Sequence, residues 1–193
     1  MMDVRVTHPL FVLRHGQTEW NLDGRLQGRR DSPLTALGRA QAEQQRGLLR
    51  QVAADHPNLK IYCSPLGRAR QTAEIATAGL GLAFEVDARL QEVSAGAWEG
   101  LTRDEVRLRL NNADLGEFEM FTNAPEGESF NALYDRCAVF LAELSGPTAV
   151  VTHGITGSVL RGILLRLSVD EMEHLPREQG RIYAVSGGQE VLI

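Results

Sequence analysis

Two stretches of this sequence share one form, an apolar run that ends in His-Gly: Val12-Leu13-Arg14-His15-Gly16 and Val150-Val151-Thr152-His153-Gly154. As strands of one parallel sheet, these runs would deliver both histidines to the same edge. Each histidine is followed by a glycine that would let a ligand come close to the backbone. Arg14 adds a permanent cation beside His15. A third segment, Ser64-Pro65-Leu66-Gly67-Arg68-Ala69-Arg70, reads as a helix start, with Ser64 as N-cap and Pro65 at the first helical position. Arg68 then falls in the first turn, where the helix N-terminus also favours an anion. Two guanidinium groups and two imidazoles at one edge suit a phosphate dianion, because guanidinium forks match its oxygens and neutral imidazole can attack phosphorus. A departing alkoxide would need a proton. Glu92, in Arg89-Leu90-Gln91-Glu92-Val93-Ser94-Ala95-Gly96, is the candidate acid, with Glu99 and Glu19 as nearby alternatives.

The elements that must position these groups are readable in outline. Apolar runs at 10–13, 59–63 and 148–152 have the character of buried parallel strands, with a shorter candidate at 83–86. Helical patterns occupy 35–54, 66–78 and 130–144. Thr102 with Glu105 reads as a capping box, and Ser129 as a cap for the helix that follows it. Strands alternating with helices predict an α/β fold with a mostly parallel sheet and helices on both faces, where ligands bind at the carboxyl ends of the strands. The tail, 181–193, carries two β-prone runs around Gly187-Gly188 and reads as a hairpin closing one sheet edge. Residues 101–127 are polar, helix-rich and broken by Asn111-Asn112 and Pro125. They read as a helical excursion, or lid, over the carboxyl end of the sheet within one domain spanning 1–193.

Composition narrows the partners. At 193 residues and 43% hydrophobic, the chain can bury a substantial core, and its formal net charge of -5 argues against a broad nucleic-acid footprint. Cys63 and Cys137 form no Cys-x-x-Cys pair and read as two buried thiols. The N-terminal residues lack the apolar stretch of a secretory signal and no run reaches membrane-spanning length, so the expectation is a cytoplasmic protein with a small phosphorylated partner and no membrane. A zinc site built on His15 and His153 lacks both a His-Glu-x-x-His motif and cysteine support, so no metal and no other cofactor is expected. His8, His56 and His174 lack chemical partners and read as surface or hinge residues. Trp98 reads as packing for its loop. Arg25, Arg29 and Arg30 read as a solvated loop, with the alternative that they extend the pocket toward a second acidic group.

Taken in order, the motifs resemble those of the histidine phosphatase superfamily, which also contains the cofactor-dependent phosphoglycerate mutases. The resemblance runs through Arg14-His15-Gly16-Gln17-Thr18-Glu19-Trp20-Asn21, Gln27-Gly28, Asp31-Ser32-Pro33-Leu34-Thr35-Ala36-Leu37-Gly38 and Ser64-Pro65-Leu66-Gly67-Arg68-Ala69-Arg70-Gln71-Thr72-Ala73-Glu74. It continues through Leu90-Gln91-Glu92, Gly96-Ala97-Trp98-Glu99-Gly100, Pro125-Glu126-Gly127-Glu128-Ser129 and Thr152-His153-Gly154. It implies a three-layer α/β/α fold of phosphoglycerate mutase type. It further implies a phosphohistidine on His15, binding of the transferred phosphoryl group by Arg14, Asn21, Arg68 and His153 with Gln27, Gly28 and Gly154 alongside, and Glu92 as proton donor and then base.

The family offers several activities. Its mutases carry a longer, Tyr- and Arg-rich stretch after the catalytic glutamate, whereas Val93-Ser94-Ala95-Gly96-Ala97-Trp98-Glu99-Gly100 resembles the phosphatase version. Its acid phosphatases and phytases carry Arg-x-Pro after Arg-His-Gly-x and a late His-Asp, and Gln17-Thr18-Glu19 and His153-Gly154 depart from both. The expectation is therefore phosphomonoester hydrolysis, with a phosphoglycerate mutase as the enzyme alternative and a non-catalytic phosphate-binding module as the third reading. Substrate identity would be set by 101–127 and 25–30, where one sequence supplies no code. Oligomeric state is not encoded in any motif, although a sheet edge or the excursion could serve a homodimer.

Overall fold

The computed structural model describes residues 6–111 and 116–193. The chain runs β1 (Leu10–Arg14), α1 (Glu19–Leu22), α2 (Ala36–Asp55), β2 (Lys60–Cys63), α3 (Gly67–Thr77) and β3 (Glu85–Val86). Single 3-10 turns at Ala88–Leu90 and Gly96–Trp98 lead to α4 (Arg103–Leu110), α5 (Glu117–Thr122) and α6 (Phe130–Ala142). Then follow β4 (Thr148–Thr152), α7 (Gly154–Leu165), α8 (Val169–His174), β5 (Ile182–Ser186) and β6 (Gln189–Leu192).

The strands form one six-stranded sheet in the order β3-β2-β4-β1-β5-β6. The first four are mutually parallel; β5 runs antiparallel to β1, and β6 antiparallel to β5. The predicted tail hairpin is thus the antiparallel edge of an otherwise parallel sheet. Side-chain alternation along the strands makes the three layers. Phe11, Leu13, Ile61, Cys63, Ala149 and Val151 meet Leu49 and Val52 of α2 and Ala69, Ala73 and Ala76 of α3 on one face. Leu10, Val12, Val150 and Tyr183 meet α6 and α7 on the other through Cys137, Phe140, Leu141, Val159 and Leu160. Both cysteines are buried free thiols, and burial pushes each up to about 12.

The central pairing brings the two His-Gly segments together. β1 and β4 are hydrogen-bonded neighbours with Arg14 opposite Thr152, so His15 and His153 leave the sheet side by side at its carboxyl end. Helix α2 begins where expected because the Thr35 side chain accepts the N–H of Gly38. The Thr102–Glu105 capping box opens α4, and Ser129 accepts the N–H of Ala132 to open α6. The excursion contributes α4 and α5 over the carboxyl end, with Asn111 in the left-handed region ending α4; Asn112 lies outside the described residues. Among the described residues no helix is long and apolar enough to cross a membrane.

Two local expectations are corrected. Helix α3 starts at Gly67 with Leu66 as N-cap, two residues after the predicted start, and Ser64 does not cap it. The Asp31 carboxylate, from a distant loop, accepts the N–H groups of Gly67 at 2.7 Å and Arg68 at 3.2 Å instead. The helix N-terminus therefore holds an internal anion, not a ligand. Gly16 likewise serves packing. A Cβ there would stand 2.1 Å from the Gly38 carbonyl oxygen, so the glycine is needed for the approach of β1's exit to the start of α2, not for a ligand.

Candidate active site

His15 is 3% exposed, and its Nδ1 lies 2.8 Å from the carbonyl oxygen of Gly16. A carbonyl only accepts, so Nδ1 carries the proton and Nε2 carries the lone pair. Arg68 Nε donates to that Nε2 at 3.2 Å. The rest of the Arg68 guanidinium is fixed by Gly28 O at 2.8 Å, Arg30 O at 2.7 Å and Asp31 Oδ1 at 2.8 Å. Arg14 donates to Arg177 O at 2.6 Å, and among the described residues its buried Nε has no hydrogen-bond partner. His153 packs against His15 with ring centroids 5.1 Å apart, and its Nε2 lies 2.7 Å from Ser64 Oγ. Ser64 Oγ also accepts the N–H of Leu66, so its own proton is available to Nε2. That arrangement leaves the unpartnered, buried Nδ1 of His153 as an N–H donor.

Glu92 reaches the same place from the other direction. Strand β3 and the turn at Ala88–Leu90 bring it to the start of α7, where Oε1 accepts Thr156 N and Thr156 Oγ1, each at 3.0 Å, and Oε2 accepts Ile155 N at 3.2 Å. The carboxylate is 7% exposed and faces the cavity. Its two sequence rivals are elsewhere: Glu99 accepts the N–H groups of Arg29 and Ala95, and Glu19 is exposed.

A cavity of about 320 Å³ opens at the carboxyl end of the sheet. Arg14, His15, Arg68, Glu92, Asn21, Gln27, Gly28 and Gly154 all line it, and His153 stands behind His15. Asn21 is held by the Thr18 capping box of α1, and Gln27 donates to Thr18 Oγ1 at 2.8 Å. Gly28 has φ +53 and a Cβ there would fall 2.2 Å from Glu99 Oε1, so both backbone and space require glycine. Arg14, His15, Asn21, Gln27, Gly28, Arg68, Glu92 and Gly154 thus converge on one cavity, with His153 against His15. Of the arginine loop, Arg25 lines the cavity, while Arg29 and Arg30 lie at the surface near Glu128 and Glu99. His8, His56 and His174 are remote from it, and Trp98 is buried packing.

Several site residues escape sequence reasoning. Gln179 donates to His15 O at 3.0 Å and to Asn21 Oδ1 at 3.3 Å, tying the His15 backbone to the Asn21 amide. Arg177 supplies the carbonyl that fixes Arg14, and Arg103, Glu117 and Phe121 complete the cavity wall. Nothing periodic marks 175–181, and only the charge of Arg103 and Glu117 distinguishes them in the excursion. Asp31 and Ser64 stood inside recognised motifs, but their partners lie 36 or more residues away in sequence.

The electrostatics favour a neutral nucleophile. Burial, then the Arg68 and Arg14 charges, hold His15 well below the ordinary histidine range, against a smaller opposing effect from the Gly16 carbonyl. His153 is lowered in the same way by burial, Arg68 and His15. Such an imidazole keeps its lone pair at neutral pH.

Fold and site together define an α/β protein with an arginine-lined pocket built around a buried histidine pair at the carboxyl edge of a mostly parallel sheet. The chain belongs to the histidine phosphatase superfamily, branch 1, whose sequence profile matches residues 10–191. It is 37% identical to the protein of Citrobacter koseri named Probable phosphoglycerate mutase GpmB, across 82% of this chain and 75% of that one. Among solved structures, a mycobacterial glucosyl-3-phosphoglycerate phosphatase complexed with VO3 superposes with a TM-score of 0.81 at 32% identity, covering 96% of each chain. The alpha-ribazole phosphatase of Shigella flexneri superposes with a TM-score of 0.76 at 27% identity, covering 96% of this chain and 94% of that one. Both expectations, the α/β architecture and the family, are borne out.

Proposed function

We propose that this chain hydrolyses small phosphomonoesters through a phosphohistidine on His15. The carrying observation is the tautomer fixed by Gly16: Nε2 bears the lone pair and sits 3.2 Å from Arg68 Nε, inside a cavity also lined by Arg14 and Glu92. In-line attack by Nε2 forms the N–P bond and breaks the ester P–O bond, whose electron pair leaves on the alcohol oxygen and takes a proton from Glu92. Water then attacks phosphorus, gives a proton to Glu92, and the N–P electrons return to His15. Arg14, Arg68, Asn21 and His153 clamp the equatorial oxygens, where loose phosphoryl transfer leaves charge, with Gln27, Gly28 and Gly154 shaping the floor.

Structural relatives named as phosphatases support hydrolysis, and one of them binds VO3, an oxyanion that resembles phosphate. The relative named as a phosphoglycerate mutase keeps isomerisation as the competing outcome. In this reading the chain works as one domain, with 101–127 covering the leaving-group side. Phosphate release from an aryl phosphate is the test. His15→Ala should abolish it, and Glu92→Gln should lower kcat about 10²- to 10⁴-fold for an ester with a poor leaving group. Turnover that survives His15→Ala would sink the assignment, and rapid primed isomerisation of 3-phosphoglycerate with little free phosphate would replace hydrolysis by mutase activity.

A further inference from the structure

Beside the residues assigned to the phosphoryl chemistry, the same cavity is lined by Arg25, Arg103, Glu117, Phe121 and Arg177. Glu117 joins two of these arginines. Oε1 accepts from Arg103 Nη2 at 2.6 Å, and Oε2 lies 3.0 Å from Arg177 Nη1. The side chains of Glu117 and Arg103 remain about one-third exposed, at 34% and 32%, and that of Arg177 is 18% exposed. Arg177 Nη1 is buried beside that carboxylate and, among the described residues, makes no hydrogen bond of good geometry. The remaining arginine, Arg25, spends Nη1 on Gly100 O at 2.8 Å and has Asp23 at 3.6 Å. Burial would raise the Glu117 carboxyl, but Arg177, Arg103 and Arg14 outweigh it and hold it below the usual range, so it is an anion at neutral pH.

We propose that Glu117, bridging Arg103 and Arg177, is the specificity-determining residue of this site and selects a neutral, hydroxyl-rich leaving group over one that carries a second acidic group. The inference rests on the phosphomonoesterase reading and adds the substrate class to it. A carboxylate between two arginines accepts from hydroxyls while the free guanidinium N–H groups donate to them, so the triad reads vicinal hydroxyls in both senses. Phe121, buried and in the cavity wall, offers a face to the carbon skeleton between them. A substrate carboxylate entering the same space would meet the charge of Glu117, which already offsets the charges of Arg103 and Arg177, and like charges placed together are a strong source of discrimination.

Glycerol 3-phosphate and 3-phosphoglycerate are a suitable probe pair, since they differ by a hydroxymethyl group in place of a carboxylate. Phosphate release from each, as kcat/KM, is expected to favour glycerol 3-phosphate by roughly tenfold or more in the intact protein. Glu117→Gln, which removes the charge and keeps the shape, should shift that ratio roughly tenfold toward 3-phosphoglycerate. Intact protein that prefers 3-phosphoglycerate, or a ratio that Glu117→Gln leaves within about twofold, would overturn the proposal. The first comparison needs no variant and so decides the matter even if Glu117→Gln does not fold. Absence of His15-dependent aryl phosphate turnover would instead strike the underlying function, so the two failures read differently.

Discussion

Asp31 joins three demands in one carboxylate: it caps α3 through Gly67 and Arg68, and it pairs with the Arg68 guanidinium at 2.8 Å. Asp31→Ala removes all three. Loss of an N-cap costs about 1 kcal/mol. Breaking a fully buried ion pair costs about 3–5 kcal/mol, but the Asp31 side chain is 39% exposed while that of Arg68 is 1% exposed. Solvent screening on the Asp31 side reduces that second cost to about 1–2 kcal/mol. Arg68 also keeps Gly28 O and Arg30 O, so its charge is not left alone. The expected total is about 2–3 kcal/mol, read as a lower urea midpoint at unchanged m. Aryl phosphate kcat/KM should fall about tenfold, because Arg68 loses an anchor and not its place. Asp31→Asn, which keeps an accepting oxygen for one N–H, should fall between. A midpoint unchanged to about 0.5 kcal/mol, or an activity loss as deep as that of His15→Ala, would refute the division of labour between Asp31 and the two carbonyls.

Two further outcomes follow from packing and from charge. Gly16→Ala places a Cβ 2.1 Å from the Gly38 carbonyl, a backbone atom that cannot step aside, and should destabilise by about 1–3 kcal/mol. Gly47→Ala, in the interior of α2 with nothing within 4 Å of the new Cβ, should stabilise by about 0.5–1 kcal/mol in the same urea assay. A neutral result for the first or a loss for the second would contradict the geometry. His15 and His153 have folded-state pKa values well below 6.5. Above that value they are neutral in both states and contribute no slope. As pH falls below it, the unfolded chain takes up protons that the folded chain refuses. Stability should then drop by about 1.4 kcal/mol per pH unit for each histidine until the folded values are reached. His15→Gln should remove about half of that slope, and a slope unchanged by the substitution would show that other groups govern the acid limb.

Much of the site could be read along the chain because its chemistry is carried by residues next to strand ends. Apolar runs that end in His-Gly declare both the strand and the group it delivers, and β1 paired with β4 puts His15 beside His153 as the pattern requires. Glu92 and Arg68 were reachable for the same reason, through motifs of a few residues whose backbone is set locally by a turn or a cap, whereas Asn21 came only with the family resemblance.

What the sequence could not decide depends on partners brought from far along the chain. Helix α7 is enclosed from Gly154 to Ile163, so its place between the sheet and its neighbours was set by packing and not by a solvent-facing side. Ser64 had the makings of a helix cap, but Asp31 reached the N-terminal N–H groups of α3, and Ser64 was left to bond His153. Gly16 read as room for a ligand and proved to be room for Gly38. Gln179, Arg177 and Glu117 enter the site only because the return toward β5 and helix α5 fold over the same sheet edge. Residue type along the chain therefore determined which groups could do chemistry and where strands would deliver them. The packing of distant segments decided which hydrogen bonds those groups make, because a donor or acceptor takes whatever partner the fold brings within about 3 Å.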